Sequence, residues 1–123
     1  MRTPYDRRRI GILAQRFAER GYHVVVQDAR GRFDSEGAFS PYGHEAGDGA
    51  ATVAWLAQQP WFNGQLGTWG ASYLGYVQWA LAAANPDAIQ AMVPIMIGTN
   101  PYGHVYPDGA FGLESRLVDV RPT

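Results

Sequence analysis

The chain has 123 residues, 46% of them hydrophobic and 17% charged, with a net charge of -1 and no cysteine. That length suits one domain with a core, and the near-neutral balance argues against nucleic acid or an anionic membrane as a partner. Disulfides and thiolate metal sites are excluded, and no apolar run approaches the roughly 18 residues that a membrane span needs.

Residues 1–9 contain Pro4 and a charged cluster and read as a loop. The basic start is followed by no apolar h-region, so it does not read as a secretory signal, and a cytoplasmic location is the default expectation. Over residues 10–20, Ile10, Leu13, Ala14, Phe17 and Ala18 recur at helical spacing, with Gly21 as a C-terminal stop. "YHVVVQD" (22–28) is short, β-branched and apolar at its centre, which predicts a strand covered on both faces. A long glycine-rich loop follows over 29–43. Helix returns over 45–59, with Ala50, Val53, Ala54 and Ala57 on one face, and Pro60 ends it.

"QLGTWG" (65–70) predicts a strand, then a tight turn, then a helix from 73 to about 84 that "NPD" breaks. "AIQAMVPIM" (88–96) predicts another strand, with Pro94 pushing its last residues out of a central ladder. From 97 onward the chain is rich in Gly, Pro and Tyr, without periodicity, and reads as an irregular extension. Strands alternating with helices imply parallel pairing in a layered α/β sheet, where ligands bind beyond the carboxyl ends of strands. Those ends are the loop at 29–43, the turn at 70–73 and the segment after 96.

The turn at 70–73 holds Ser72. A serine hydroxyl needs a base, an exposed position and donors for the oxyanion that forms on attack. A sharp strand-to-helix turn lifts it above the sheet and sets backbone N–H groups beside it. Gly70 and Ala71 are the small neighbours that such a turn requires, and Gly67 and Gly75 allow close approach of strand and helix. The generic G-x-S-x-G pattern is only partly met, since Leu74 stands where it has glycine. The same string also fits Ser72 as a helix N-cap.

Tyr5, stiffened by Pro4, has an O–H that suits an oxyanion, and its context equally fits an ordinary surface tyrosine. Arg7, Arg8 and Arg9 read as a solvated face. Asp28 and Arg30 read as a buried pair bracing the loop rather than as direct catalysts. His23 reads as structural and His44 as a cap-region residue, while His104 lies in the late loop. None of the three has metal-ligand spacing, so no metal is assigned.

"RTPYD" (2–6), "GYHVVVQDARGRFDSEGAF" (21–39), "DGAATVAWLAQQPWFNGQLGTWGASYLG" (48–75) and "QAMVPIM" (90–96) together resemble the cocaine esterase and Xaa-Pro dipeptidyl-peptidase family of α/β-hydrolases. Its elbow reads G-x-S-Y-x-G, which accounts for the displaced glycine at Gly75. The resemblance implies a partial α/β-hydrolase fold. Residues 1–97 would be catalytic core, and 98–123 the start of a cap or an irregular extension. It implies Ser72 as acylated nucleophile, the Tyr73 backbone N–H and the Tyr5 O–H as oxyanion donors, and Tyr106 as a substrate contact from the cap. It implies a small-molecule ester, amide or peptide substrate and no cofactor, and leaves oligomeric state open.

The same resemblance puts the triad acid and histidine further downstream. His104, Asp87, Asp108 and Asp119 all lie too early; the family's strands 1 and 2 and almost all of its strand 3, which sits in the centre of the sheet, would precede Met1, and the C-terminal third would follow the chain. The chain is therefore expected to be an incomplete fragment. Two alternatives stay open: that the 123 residues are catalytically inactive alone, or that they form a small-molecule binding module.

Overall fold

A computed structural model describes residues 1–113. The order is β1 (Arg2–Thr3), a 3-10 turn (Arg7–Ile10) running into α1 (Gly11–Ala18), β2 (Gln27–Asp28), α2 (Glu45–Leu56), β3 (Gly67–Ala71), α3 (Tyr73–Ala84), β4 (Ala91–Ile95) and α4 (Pro101–Val105). The architecture is mixed α/β with small parallel sheets. β1 pairs with β2 in the register Arg2 to Gln27 and Thr3 to Asp28. β3 pairs with β4 from Gly67 opposite Ala91 to Ala71 opposite Ile95. The expected alternation and parallel pairing hold, but among the described residues the strands make two separate sheets rather than one. α3 bridges them, packing on β1, β3, β4 and α2.

Several boundaries differ from the sequence reading, each for a physical reason. The stretch taken as a loop at 1–9 contains β1, because a two-residue strand has no alternation to detect. The strand expected over 22–28 shrinks to Gln27–Asp28. The ladder is only as long as the segment opposite: Met1 N donates to Val25 O, Gln27 N to Met1 O and Ala29 N to Thr3 O. The helix expected to reach 59 ends at Leu56, where the chain tightens to i to i−3 bonds ahead of Pro60. α4 lies in the stretch read as irregular. Its signals are local: the Asn100 side chain accepts from Gly103 N at 3.0 Å, with Pro101 in the first turn. Gly21 does stop α1's run, with φ of 87°.

Pro94 stays in the β3–β4 ladder, contrary to expectation: Gly70 faces Pro94, and one step on Ser72 N donates to Ile95 O at 2.8 Å. A proline has no N–H to donate. Gly70 O also accepts from Gln78 Nε2 at 3.2 Å. Gln78, buried on α3, also donates to Leu74 O and Val93 O and accepts from Val93 N and Thr68 Oγ1. One buried amide thus bonds several backbone groups around the proline, and removing it takes a hydrogen-bond partner from each. Gln78→Leu is expected to destabilise the fold by about 3 kcal/mol. Urea unfolding followed by tryptophan fluorescence measures this, and a loss below about 1 kcal/mol would contradict it.

The core gathers around α3: Tyr73, Leu74, Val77 and Leu81 are buried with Leu56, Ile10 and Ala29. Gly49 of α2 lets the two helices meet, since a Cβ there would stand 3.3 Å from Leu81 Cβ. The amphipathic pattern of α1 buries none of the helix's own residues, and Ile12 is 75% exposed.

Candidate functional site

β3 runs into α3 through one residue, Ser72, with φ of 53° and ψ of −123°. That conformation is costly for a residue with a Cβ, by about 1–3 kcal/mol, and persists only where the surroundings enforce it. The enforcing contacts are close ones. A Cβ on Gly70 would lie 2.3 Å from Leu74 Cβ, and one on Gly75 would lie 2.2 Å from Ile97 Cγ2 and 3.3 Å from Gly70 O. Gly67, expected to serve the same purpose, does not: its nearest neighbour would be Ala91 O at 3.9 Å, ordinary contact.

Ser72 is exposed and caps α3 through its backbone alone, with its C=O accepting from Gly75 N and Tyr76 N. Its side chain makes no capping hydrogen bond, so the N-cap reading of the hydroxyl fails. Tyr73 is the first residue of α3, so its N–H belongs to the turn that lacks intrahelical acceptors. An accessible hydroxyl and an unspent backbone donor therefore share one turn.

The Tyr73 side chain points into the fold. Its hydroxyl donates to Glu45 Oε1 at 2.7 Å and accepts from Tyr42 N at 3.0 Å. Its ring stacks on Tyr42 at 4.8 Å and meets Tyr5 edge-on at 6.4 Å. Burial pushes the hydroxyl well above the ordinary tyrosine range and Glu45 adds to this, so it remains a donor. Glu45 is 3% exposed. Arg2 Nη2 stands 2.9 Å from Glu45 Oε2 as an ion pair too poorly aligned to count as a hydrogen bond, while Arg2 Nη1 donates to Glu45 O at 2.9 Å. Asp48 extends the network to Arg2 at 3.5 Å and to Arg30, whose hydrogen bonds hold the Asp48 carboxyl below its usual range.

The sequence-predicted residues are thus partly assembled. Ser72 and Tyr73 are adjacent, and Tyr5 reaches them through the Tyr73 ring. Tyr5 is 49% exposed, and among the described residues its hydroxyl makes no hydrogen bond. Tyr106 stands apart: its ring partners are Tyr102 at 4.9 Å and Phe111 at 5.5 Å, from its own segment. No histidine among the described residues bonds Ser72. His23 packs on Trp61, His44 precedes α2, and His104 lies in α4. Asp119 lies outside the described residues.

The expected pairing of Asp28 with Arg30 is replaced by two others. Buried Asp28 accepts from Arg7 N at 2.7 Å and Arg7 Nη1 at 2.5 Å, whereas Arg30 turns to Asp48. Arg7, with its side chain still 40% exposed, is thus tied to Asp28 and to Asp34 rather than only solvated. The chain reversal at Pro4–Asp6 brings it back over the end of β2, a contact that sequence separation concealed. Glu45, Arg2 and Tyr42 were not nominated from the sequence at all, because no local pattern links them to Tyr73.

An open groove of about 680 Å³ lies elsewhere, lined by residues such as Val25, Asp28, Arg30 and Trp55, and Ser72 does not line it. Among the described residues no cluster of three or more metal-ligating side chains occurs, and no helix is long and apolar enough to cross a membrane.

Residues 1–120 match the family model of X-Pro dipeptidyl-peptidase (S15 family). The chain belongs to that family. It is 34% identical to cocaine esterase of Rhodococcus sp. (strain MB1 Bresler) over 125 residues, which is 95% of this chain and 22% of that protein. It is also 35% identical over 82 residues to proteins named as serine esterases from Mycobacterium bovis and Mycobacterium tuberculosis, covering 65% of this chain and 13% of theirs. The S15-family segment described here therefore spans about a fifth or less of the length of these relatives.

Proposed function

We propose that this chain is the nucleophile-bearing part of a serine hydrolase that cleaves an ester or amide through an acyl-enzyme on Ser72. The observation that carries the reading is the exposed Ser72, held at φ 53° between a strand and a helix with its hydroxyl making no capping hydrogen bond among the described residues, in a chain of this family. The relatives' names supply the substrate class. Ser72 Oγ attacks the carbonyl carbon and gives its proton to a general base. The negative oxygen of the tetrahedral intermediate accepts from Tyr73 N–H and Tyr5 O–H. Collapse expels the alcohol or amine with a proton, and water then attacks the acyl group and regenerates Ser72.

On this reading the acid and histidine of the triad come from outside the described residues, as the family resemblance implies. Residues 1–97 form the partial α/β-hydrolase core, with the nucleophile elbow at Ser72. Residues from 98 begin a cap, where Tyr102 stacks on Tyr106 and Phe111 lies tilted against it, an apolar surface for substrate.

A fluorophosphonate tests this in the intact hydrolase that carries this segment. It is expected to leave one covalent phosphonyl adduct, and peptide mass spectrometry is expected to locate it on Ser72. An adduct on a different serine would sink the assignment. The isolated 123-residue chain, lacking the base, is expected to label far more slowly, because residual catalysis without a triad comes from binding and the oxyanion donors alone.

A further inference from the structure

The oxyanion donors proposed above sit on different parts of the chain, Tyr5 after β1 and the Tyr73 N–H at the start of α3. Nothing in the backbone joins β1 to β3, since their sheets share no ladder among the described residues. What joins them is side chains. Arg2 lies three residues before Tyr5 and reaches Glu45, both as an ion pair and through its bond to Glu45 O. Glu45 accepts from the Tyr73 hydroxyl at 2.7 Å, and the edge-on contact of the Tyr73 ring with Tyr5 closes the circuit at 6.4 Å. Tyr42 holds the same ring as well, stacking on it and donating its N–H to the hydroxyl.

Resting on the reading of Ser72 as nucleophile, we infer that the side chain of Tyr73, anchored by Glu45 and Arg2, is a positioning device for the oxyanion hole. It fixes the spacing between its own N–H and the Tyr5 hydroxyl. Tyr73 thereby acts twice, through its backbone on the oxyanion and through its ring and hydroxyl on the other donor. The ring is pinned at both ends, which suits a role in placing a neighbour better than one in contacting substrate. A buried network of this kind loses its geometry when one member is cut, because the groups that it bonded must find new partners. Displacements of around an ångström at a reacting centre cost up to about 100-fold in rate.

Tyr73→Phe is the direct test in the intact hydrolase, because it retains the ring and the backbone N–H and removes only the hydroxyl. After active-site titration to count competent enzyme, kcat is expected to fall by about 10- to 100-fold with KM nearly unchanged. Affinity for an arylboronic acid, whose serine adduct mimics the tetrahedral oxyanion, is expected to fall by a similar factor. Glu45→Gln keeps an acceptor for the Tyr73 hydroxyl and is expected to retain more kcat than Glu45→Ala. A purely structural role predicts instead fewer competent molecules with unchanged kcat per active site. That outcome, or a Tyr73→Phe loss that appears in KM alone, overturns the inference. Should Tyr73→Phe fail to fold, the ranking of the two Glu45 variants decides. Wild-type labelling at a residue other than Ser72 would reject the parent reading, whereas Ser72 labelling with unaffected variant kcat rejects only the positioning role.

Discussion

Ser72→Ala in the intact hydrolase is expected to lower kcat by on the order of 10⁴- to 10⁶-fold while leaving the fold unharmed. The activity loss follows from removing the atom that forms the acyl bond. What survives would be the contribution of substrate binding and the oxyanion donors to attack by water. Stability is the more discriminating half of the result. If the hydroxyl capped α3, its loss would cost about 0.5–2 kcal/mol. The structure gives Ser72 no side-chain capping bond, and its strain resides in the positive φ that alanine shares. Alanine should therefore be near neutral in denaturant midpoint, and Ser72→Gly, which relieves the strain, should stabilise by about 1 kcal/mol. A stabilised but inactive glycine variant would be the mark of a backbone held in tension for chemistry. Activity of Ser72→Ala within tenfold of wild type would remove Ser72 from the mechanism.

Tyr5→Phe is expected to reduce kcat by about 10²- to 10³-fold, with a much smaller change in KM, because the donor acts on charge that exists only in the transition state. The variant isolates a single O–H. Among the described residues that O–H bonds nothing, and the side chain is half exposed, so folding stability should move by less than about 0.5 kcal/mol. The ring contact with Tyr73 survives in phenylalanine. Steady-state kinetics beside urea unfolding of the same samples separates the two effects. Equal kcat in both proteins would leave Tyr73 N–H without its proposed companion.

The local signals in the sequence carried as far as local physics reaches. The helix at 73–84 was readable from its apolar length and the "NPD" break, and it appears as Tyr73–Ala84. Gly21 could be read as a stop because a positive φ is cheap only for glycine. Ser72 could be singled out because small neighbours and a strand-to-helix switch are local features. α4 was not read from the sequence: Asn100 and Pro101 are its local signals, but five residues are too short for periodicity to reveal.

Alternation of strands and helices, the turn that exposes Ser72 and membership of a hydrolase family were determined by the sequence itself, since period, turn chemistry and motif are properties of neighbours along the chain. The tertiary structure alone decided that the strands among the described residues form two sheets, that Asp28 takes Arg7 across 21 residues, and that Tyr73 answers to Glu45 across 28 and Glu45 to Arg2 across 43. Asp28 and Arg30 looked like partners because they are close in sequence, yet each found a better-placed opposite charge elsewhere. Buried polar groups take whichever partner the packed backbone brings within about 3 Å, and that is set by how β1, α2 and α3 converge rather than by any local spacing.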